Sequence, residues 1–204
     1  MAKDTRVVLD LETKKTFADV GGRNNLEKLG ISVVGLYRYE TDSYHAYLEH
    51  EFGELQNVLI DSSLIIGFNH IGFDMPVLQP FLSVDVNRLP CFDIMVDLQE
   101  RLGHRIGLDA VASATLGIGK TATGLDAIKY YNEGRWDELK EYCLNDVKVT
   151  KDVFEHGLKH KAVKFSSKFG RAEKEVKVDW AAFSKTKAIK THDESKSEAQ
   201  YMLF

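Results

Sequence analysis

The hydrophobic pattern opens with a compact apolar run rich in valine, Arg6 to Leu11, which predicts a buried strand. A polar loop containing Gly21-Gly22 follows. Ile31–Tyr39 and Tyr44–Leu48 predict two more strands joined by a turn at Glu40–Ser43. Phe52–Ile60 has helical spacing, and Leu64–Phe68 is another short buried strand. Pro76 suits a first helical turn and predicts a helix to about Leu82. After Pro90 a brief strand through Cys91–Ile94 leads to helical stretches near Val96–Leu102, Leu108–Leu116 and Leu125–Tyr131, then a longer one over Trp136–Leu158.

Three strands, then alternating helix and strand, then helices predict an α/β sheet with helices on its faces. Past Lys159 the pattern weakens, although Val176, Val178 and Trp180 alternate and predict one more strand added to the body. Residues 185–199 have the polar composition of a tail. The expected organisation is a folded domain over residues 1–165, then a basic extension with a flexible C-terminal tail over 166–204.

Composition changes this picture in two places. At 204 residues and 44% hydrophobic content the chain can build a real core. No apolar run reaches the ~18 residues of a membrane span, and no signal-peptide core precedes the first strand, so no membrane partner is expected. Cys91 and Cys143 lack metal-type spacing, which favours reduced structural thiols and a cytoplasmic setting. The formal charge of −4 hides an asymmetry: residues 159–190 hold ten Lys or Arg against three acids, whereas residues 1–158 hold sixteen against twenty-five. A basic stretch beside an acidic cluster suits a phosphodiester substrate, and a solvated helix face and tail would carry the same charges.

Three short motifs carry the candidate chemistry. In Val-Val-Leu-Asp-Leu-Glu-Thr, Asp10 and Glu12 are two apart on a predicted strand and point to one face. Two carboxylates side by side on an apolar strand are unfavourable unless a cation compensates. Asp74 closes Gly-Phe-Asn-His-Ile-Gly-Phe-Asp, where an N-cap role and a catalytic role can coexist. Tyr142 and Asp146 in Tyr-Cys-Leu-Asn-Asp are four apart on a predicted helix and share a face. Together the four acids supply the hard oxygen ligands that a pair of Mg²⁺ or Mn²⁺ ions needs for phosphodiester hydrolysis, so the residues point to a metal-dependent nuclease.

These motifs, in this order from about Val7 to His156, resemble the DnaQ-like or DEDD superfamily of 3′–5′ exonucleases, built on the ribonuclease H-like fold. Asp10-Leu11-Glu12 matches its first motif, Asn69 through Asp74 its second, and Tyr142 through Asp146 its third. Tyrosine at the head of the third motif marks the tyrosine (DEDDy) subgroup, with length and spacing similar to YprB-type ribonuclease H-like proteins. The resemblance implies a mixed five-stranded sheet flanked by helices, with the acids at one end. It implies that Asp10, Glu12 and Asp146 hold one ion, that Asp10 bridges to a second, and that Asp74 supports the second through water. Tyr142 would orient the attacking water, since a phenol of ordinary pKa ~10 is a poor base at neutral pH. The substrate implied is a nucleic-acid 3′ end, with single-stranded DNA favoured over RNA. A non-catalytic binding module and an RNA-processing or endonucleolytic enzyme on the same fold are the competing readings.

Other signals are weaker. Gly117 to Thr121 contains Gly-Lys-Thr but lacks the earlier glycine and leading strand of a P-loop, so nucleotide triphosphate binding is rejected. His156 and His160 share a helix face without a third ligand, and Asp93 is read as a structural acid. The last five residues resemble the short peptide with which bacterial replication proteins dock on the sliding clamp; Gln200, Leu203 and Phe204 carry that agreement.

Overall fold

A computed structural model of the chain describes residues 3–118, 124–166 and 173–184. Its centre is a mixed five-stranded sheet in the order β3-β2-β1-β4-β5. β1 (Val7–Thr13) pairs antiparallel with β2 (Ile31–Arg38), which pairs antiparallel with β3 (Ser43–Tyr47). On its other edge β1 runs parallel to β4 (Ile65–Gly67), and β4 parallel to β5 (Cys91–Asp93). The predicted α/β sheet with helices on its faces is therefore present, and β1 lies at its middle.

Alternation along β1 divides its residues between two cores. Val7, Leu9 and Leu11 face α1 (Phe52–Asp61) and α2 (Asp74–Leu78), where Leu55, Leu59, Val77 and Leu78 are fully buried. Val8 faces the opposite layer, made by α3 (Ile94–Leu102), α4 (Leu108–Leu116) and α6 (Trp136–His160), with α5 (Gly124–Asn132) beside α6. Asp10 and Glu12 follow Val8 at spacings of two, so they share the face that α6 covers.

Several boundaries differ from the sequence reading. β1 extends to Thr13, with an irregular register at Glu12/Thr13, which brings Glu12 inside the strand. α2 stops at Leu78 and tightens into a 3₁₀ turn over Gln79–Phe81, because Pro80 lacks the N–H an α-helix needs there. β5 ends at Asp93 rather than Ile94, because Asp93 caps α3 by accepting from Met95 and Val96 N–H.

The C-terminal part corrects the expectation of a strand added to the body. β7 (Glu173–Lys177) pairs only with β6 (Ala162–Ser166), in a separate antiparallel sheet. Pairing with the strand just before it in the chain is the local solution. The apolar face of this sheet, Val163, Phe165 and Val176, is buried against the α4 and α6 layer. Trp180 lies beyond the strand, before α7 (Ala181–Ser184), and is fully buried. It stacks on Phe154 at 5.7 Å and donates from Nε1 to Asp97 Oδ2 at 2.8 Å. The expected boundary at residue 165 thus falls within β6, and residues 173–184 return to the folded body. Lys120 and the peptide bearing Gln200, Leu203 and Phe204 lie outside the described residues. Among the described residues no helix is long and apolar enough to cross a membrane.

Candidate metal centre

The acids meet because α6 approaches the sheet unusually closely. Gly35 of β2 sits opposite Asp10 in the register. A Cβ at Gly35 would stand 2.8 Å from Cys143 Sγ and 2.9 Å from Val147 Cγ2, so any other residue would lift the helix. A glycine in a strand interior is a recognised mark of such an approach. The Cys143 thiol donates to the main-chain oxygen of Asp10 at 3.7 Å, tying the helix to the strand. Tyr142 and Asp146 flank this contact one helical turn apart, as their spacing predicts. Ligand oxygens of Asp10, Glu12 and Asp146 consequently lie within 4.8 Å of one another.

Asp74 reaches the same place from the other edge of β1. β4 ends at Gly67, so its pairing with β1 does not extend past Val8 and leaves Leu11 N–H without a strand partner. Asp74 Oδ1 accepts that N–H at 3.0 Å, between the two acids of β1 in sequence. It is not the N-cap of α2; Phe73 holds that position and Asp74 is the first helical residue. Asp74 is buried, and its charge acts on both Asp10 and Glu12.

Electrostatics mark this cluster as incomplete. Burial, then the carboxylates of Asp74, Glu12 and Asp146, push Asp10 well above the ordinary carboxylate range. Burial and the charges of Asp146 and Asp74 do the same to Glu12. Asp74 is pushed up to about 7 by burial, with the charge of His70 opposing. Asp146 is pushed up to about 6 by burial, partly offset by the hydrogen bond from Tyr142. Burial, followed by the negative charges of Asp146, Glu12 and Asp10, raises the Tyr142 phenol far above its usual value. Among the described residues no lysine or arginine pairs with any of the four acids. Hard oxygen donors, mutually repelling and uncompensated, fit a divalent cation, which would reverse these shifts.

A second layer of structure holds the loop that delivers Asp74. Asp93 Oδ1 accepts from Asn69 N–H at 2.8 Å, and Oδ2 from Ile71 N–H at 2.9 Å. The His70 side chain turns inward and is fully buried, its Nδ1 3.5 Å from Asp93 Oδ2. Gly67 makes room for it, since a Cβ there would be 2.6 Å from the His70 ring. Burial alone would lower the imidazole, but Asp93 and the Cys91 thiol overcome it and raise His70 to about 10. Arg105, on the exposed loop between α3 and α4, donates to Asn69 Oδ1 at 2.5 Å.

The structure brings together all five residues singled out by their motifs: Asp10, Glu12, Asp74, Tyr142 and Asp146. The sequence reading gave Gly35 and Arg105 no role, named Gly67 and His70 only as members of the second motif, and read Asp93 as a structural acid without a specific task. The glycines interrupt apolar strands, and that signal was readable. Nothing local marks Arg105, whose partner lies 36 residues away. Phe17 packs edge-to-face on Phe73 at 5.8 Å, so it is chiefly a packing residue. Outside the cluster a groove of about 760 Å³ runs along α6, lined by Tyr44, Tyr130, Tyr142, Leu144 and Lys148 among others.

Comparison with known proteins fits this geometry. Among solved structures, the family B DNA polymerase of the hyperthermophilic archaeon Pyrobaculum calidifontis is similar, with a TM-score of 0.57 and 16% identity over 75% of this chain and 24% of the polymerase chain. RNase D of Trypanosoma brucei is similar with a TM-score of 0.56 and 18% identity, over 75% of this chain and 57% of that one. The chain thus spans about a quarter of the first and just over half of the second, and at these identities the likeness is one of fold. Comparison with curated protein sequences finds no significant match. The model of the RNase_H superfamily matches residues 8–158, nearly all of the five-stranded sheet and of α6, and the chain belongs to that superfamily.

Proposed function

We propose that this protein is a metal-dependent 3′–5′ exonuclease of the DEDDy type, similar to YprB-type proteins, which trims nucleic-acid ends and favours single-stranded DNA over RNA. The observation that carries the reading is the convergence of Asp10, Glu12 and Asp146 within 4.8 Å, uncompensated by any basic side chain among the described residues and joined from the far edge of β1 by Asp74. Asp10, Glu12 and Asp146 would hold one Mg²⁺ or Mn²⁺ and Asp10 and Asp74 a second. When bound, the ions supply an activated water and stabilise the departing 3′ oxygen.

The chain's own groups do the rest. The Tyr142 phenol stays protonated, being raised by burial and three nearby carboxylates, so it orients water and does not remove its proton. Asp146, one turn along α6, lies close enough for its charge to act on the phenol. Arg105, held by Asn69 on the second-motif loop, places a guanidinium where a phosphate of the substrate strand can be met. The tyrosines of the groove along α6 offer rings on which unpaired bases stack, which supports a single strand over a duplex. Gln200, Leu203 and Phe204 would tether such an enzyme to a sliding clamp.

The deciding measurement follows end-labelled single-stranded DNA and RNA with Mg²⁺ or Mn²⁺, comparing wild type with Asp10→Ala/Asp146→Ala. Stepwise shortening from the 3′ end, lost in the double variant, is the expected result. Binding without cleavage on both polymers and with both metals would leave a non-catalytic binding module instead.

A further inference from the structure

Asp93 makes more hydrogen bonds than an N-cap requires, and the surplus bonds all go to one loop. Two of its four donors, Met95 and Val96 N–H, belong to the first turn of α3. The other two, Asn69 and Ile71 N–H, belong to the segment between β4 and α2. That segment turns at Asn69, whose φ of +65° lies in the left-handed region that asparagine tolerates better than most non-glycine residues. His70 O accepts from Met75 N–H at 2.8 Å, so the loop joins directly to the turn that carries Asp74. Beneath the loop the His70 ring fills the space over Gly67 and meets Asp93 Oδ2 at 3.5 Å. Asp93 and His70 are 4% and 0% exposed, so neither touches substrate.

We propose that Asp93, with His70 packed below the loop, is a positioning residue that fixes residues 69–73 and so sets where the Asp74 carboxylate stands against Asp10. The proposal rests on the metal-centre reading above. The physical reason is the one that governs supports behind metal ligands generally: a carboxylate contributes to affinity only if it is held in place before the ion arrives. Asp74 has one hydrogen bond of its own to the sheet, from Leu11 N–H. One bond allows the carboxylate to swing, and the Asp93 clamp on the preceding loop removes that freedom.

Asp93→Ser separates this role from simple capping. Serine is a good N-cap and keeps a partner for Met95 and Val96 N–H, but it is too short to reach Asn69 and Ile71 as well. The first readout is Mn²⁺ binding to the full-length chain, followed by electron paramagnetic resonance of free Mn²⁺, which requires no activity. The apparent Mn²⁺ dissociation constant should rise about 10- to 100-fold in Asp93→Ser. Cleavage should fall at low Mn²⁺ and recover at high Mn²⁺, while KM for a single-stranded oligonucleotide at saturating Mn²⁺ moves less than about threefold. A folded Asp93→Ser whose Mn²⁺ isotherm overlays the wild type would overturn the proposal and leave the nuclease reading intact. A wild type that binds no Mn²⁺ would overturn both. If the serine variant does not fold, Asp93→Asn answers the same question by the same criterion, since it keeps the cap and one loop bond and loses the Ile71 acceptor and the charge facing His70.

Discussion

Along α6, the stretch from Tyr142 to Asp146 faces Asp10 and Glu12 across the Gly35 gap, while the stretch from Phe154 to Gly157 faces Trp180. Both are close approaches made possible by a glycine. At the first, like charges are buried together without compensation, and every acid is pushed up from its ordinary value. At the second, an indole stacks on Phe154, meets Phe92 edge-to-face, and has its N–H satisfied by Asp97. One helix therefore joins a region that stores unfavourable energy to one that supplies favourable energy. Natural proteins break local rules at functional sites and compensate elsewhere, and the two halves of α6 are an instance.

Breaking the two halves separately should give opposite phenotypes. Asp10→Ala/Asp146→Ala should abolish metal-dependent cleavage by at least ~1000-fold, the ~4 kcal/mol scale of a lost metal clamp. The metal-free melting temperature should hold or rise, because repulsion is removed. Trp180→Ala should instead cost about 3–5 kcal/mol of stability, as for other buried Trp truncations, with cleavage per folded molecule unchanged. Calorimetry with end-labelled cleavage assays checks both. A double alanine variant that melts well below wild type would mean that the acids support the fold in a way their charges do not suggest.

The pH response sharpens the same contrast. Asp74 and Asp146 hold protons more tightly folded than unfolded, since their folded values of about 7 and about 6 exceed the ordinary 3.8. Their contribution to stability is complete below about pH 4 and is lost as pH rises through 6 and 7. Metal-free protein should therefore melt roughly 5–10 °C lower at pH 8 than at pH 5, and saturating Mn²⁺ should restore most of the loss at pH 8 only. His70, raised to about 10, loses its contribution between about pH 6.5 and 10, so the part that Mn²⁺ restores isolates the acids. An equal Mn²⁺ effect at both pH values would contradict the assignment of these groups as ligands.

Much of the first region was legible in the sequence, and little of the second. Asp10 and Glu12 alternate on a strand, and Tyr142 and Asp146 repeat on a helix, so period alone placed each pair on a face. What joins the pairs is non-local: Gly35 sits 108 positions before Cys143, and no spacing rule links them. The strand at Val176 was expected, but β6 and its pairing with β7 were not, because lysine and glutamate alternate with the few apolar residues of this sheet and dilute the signal. Trp180 read as a strand residue because alternation cannot tell a strand from a strand end that turns into the core.

The two glycines offer a finer comparison. Gly157→Ala would put a Cβ 2.1 Å from Trp180 Cζ3, and Gly35→Ala would put one 2.8 Å from Cys143 Sγ. Both should cost about 1–3 kcal/mol as overpacking, about 2–12 °C in melting temperature at the ~2–4 °C per kcal/mol of a chain this size. Only Gly35→Ala should also lower cleavage, by about 10- to 100-fold, because it moves Tyr142 and Asp146 relative to Asp10. Equal cleavage by the two variants would show that the Gly35 approach serves packing alone.

The smallest expected effect belongs to Arg105, which belongs to neither half of α6 and is exposed. Its hydrogen bond to Asn69 is a surface contact, and removing it in Arg105→Ala should change stability by less than about 0.5 kcal/mol. If its guanidinium meets a substrate phosphate, KM for single-stranded DNA should rise several-fold, with kcat nearly unchanged and a shallower dependence of binding on salt. Arg105→Lys should recover part of the loss, since a lysine keeps the charge but not the fork that reaches Asn69 and a phosphate together. A fall in kcat with KM unchanged would instead place Arg105 with Asp93, as a support of the loop that carries Asp74, and would extend the positioning layer to the protein surface.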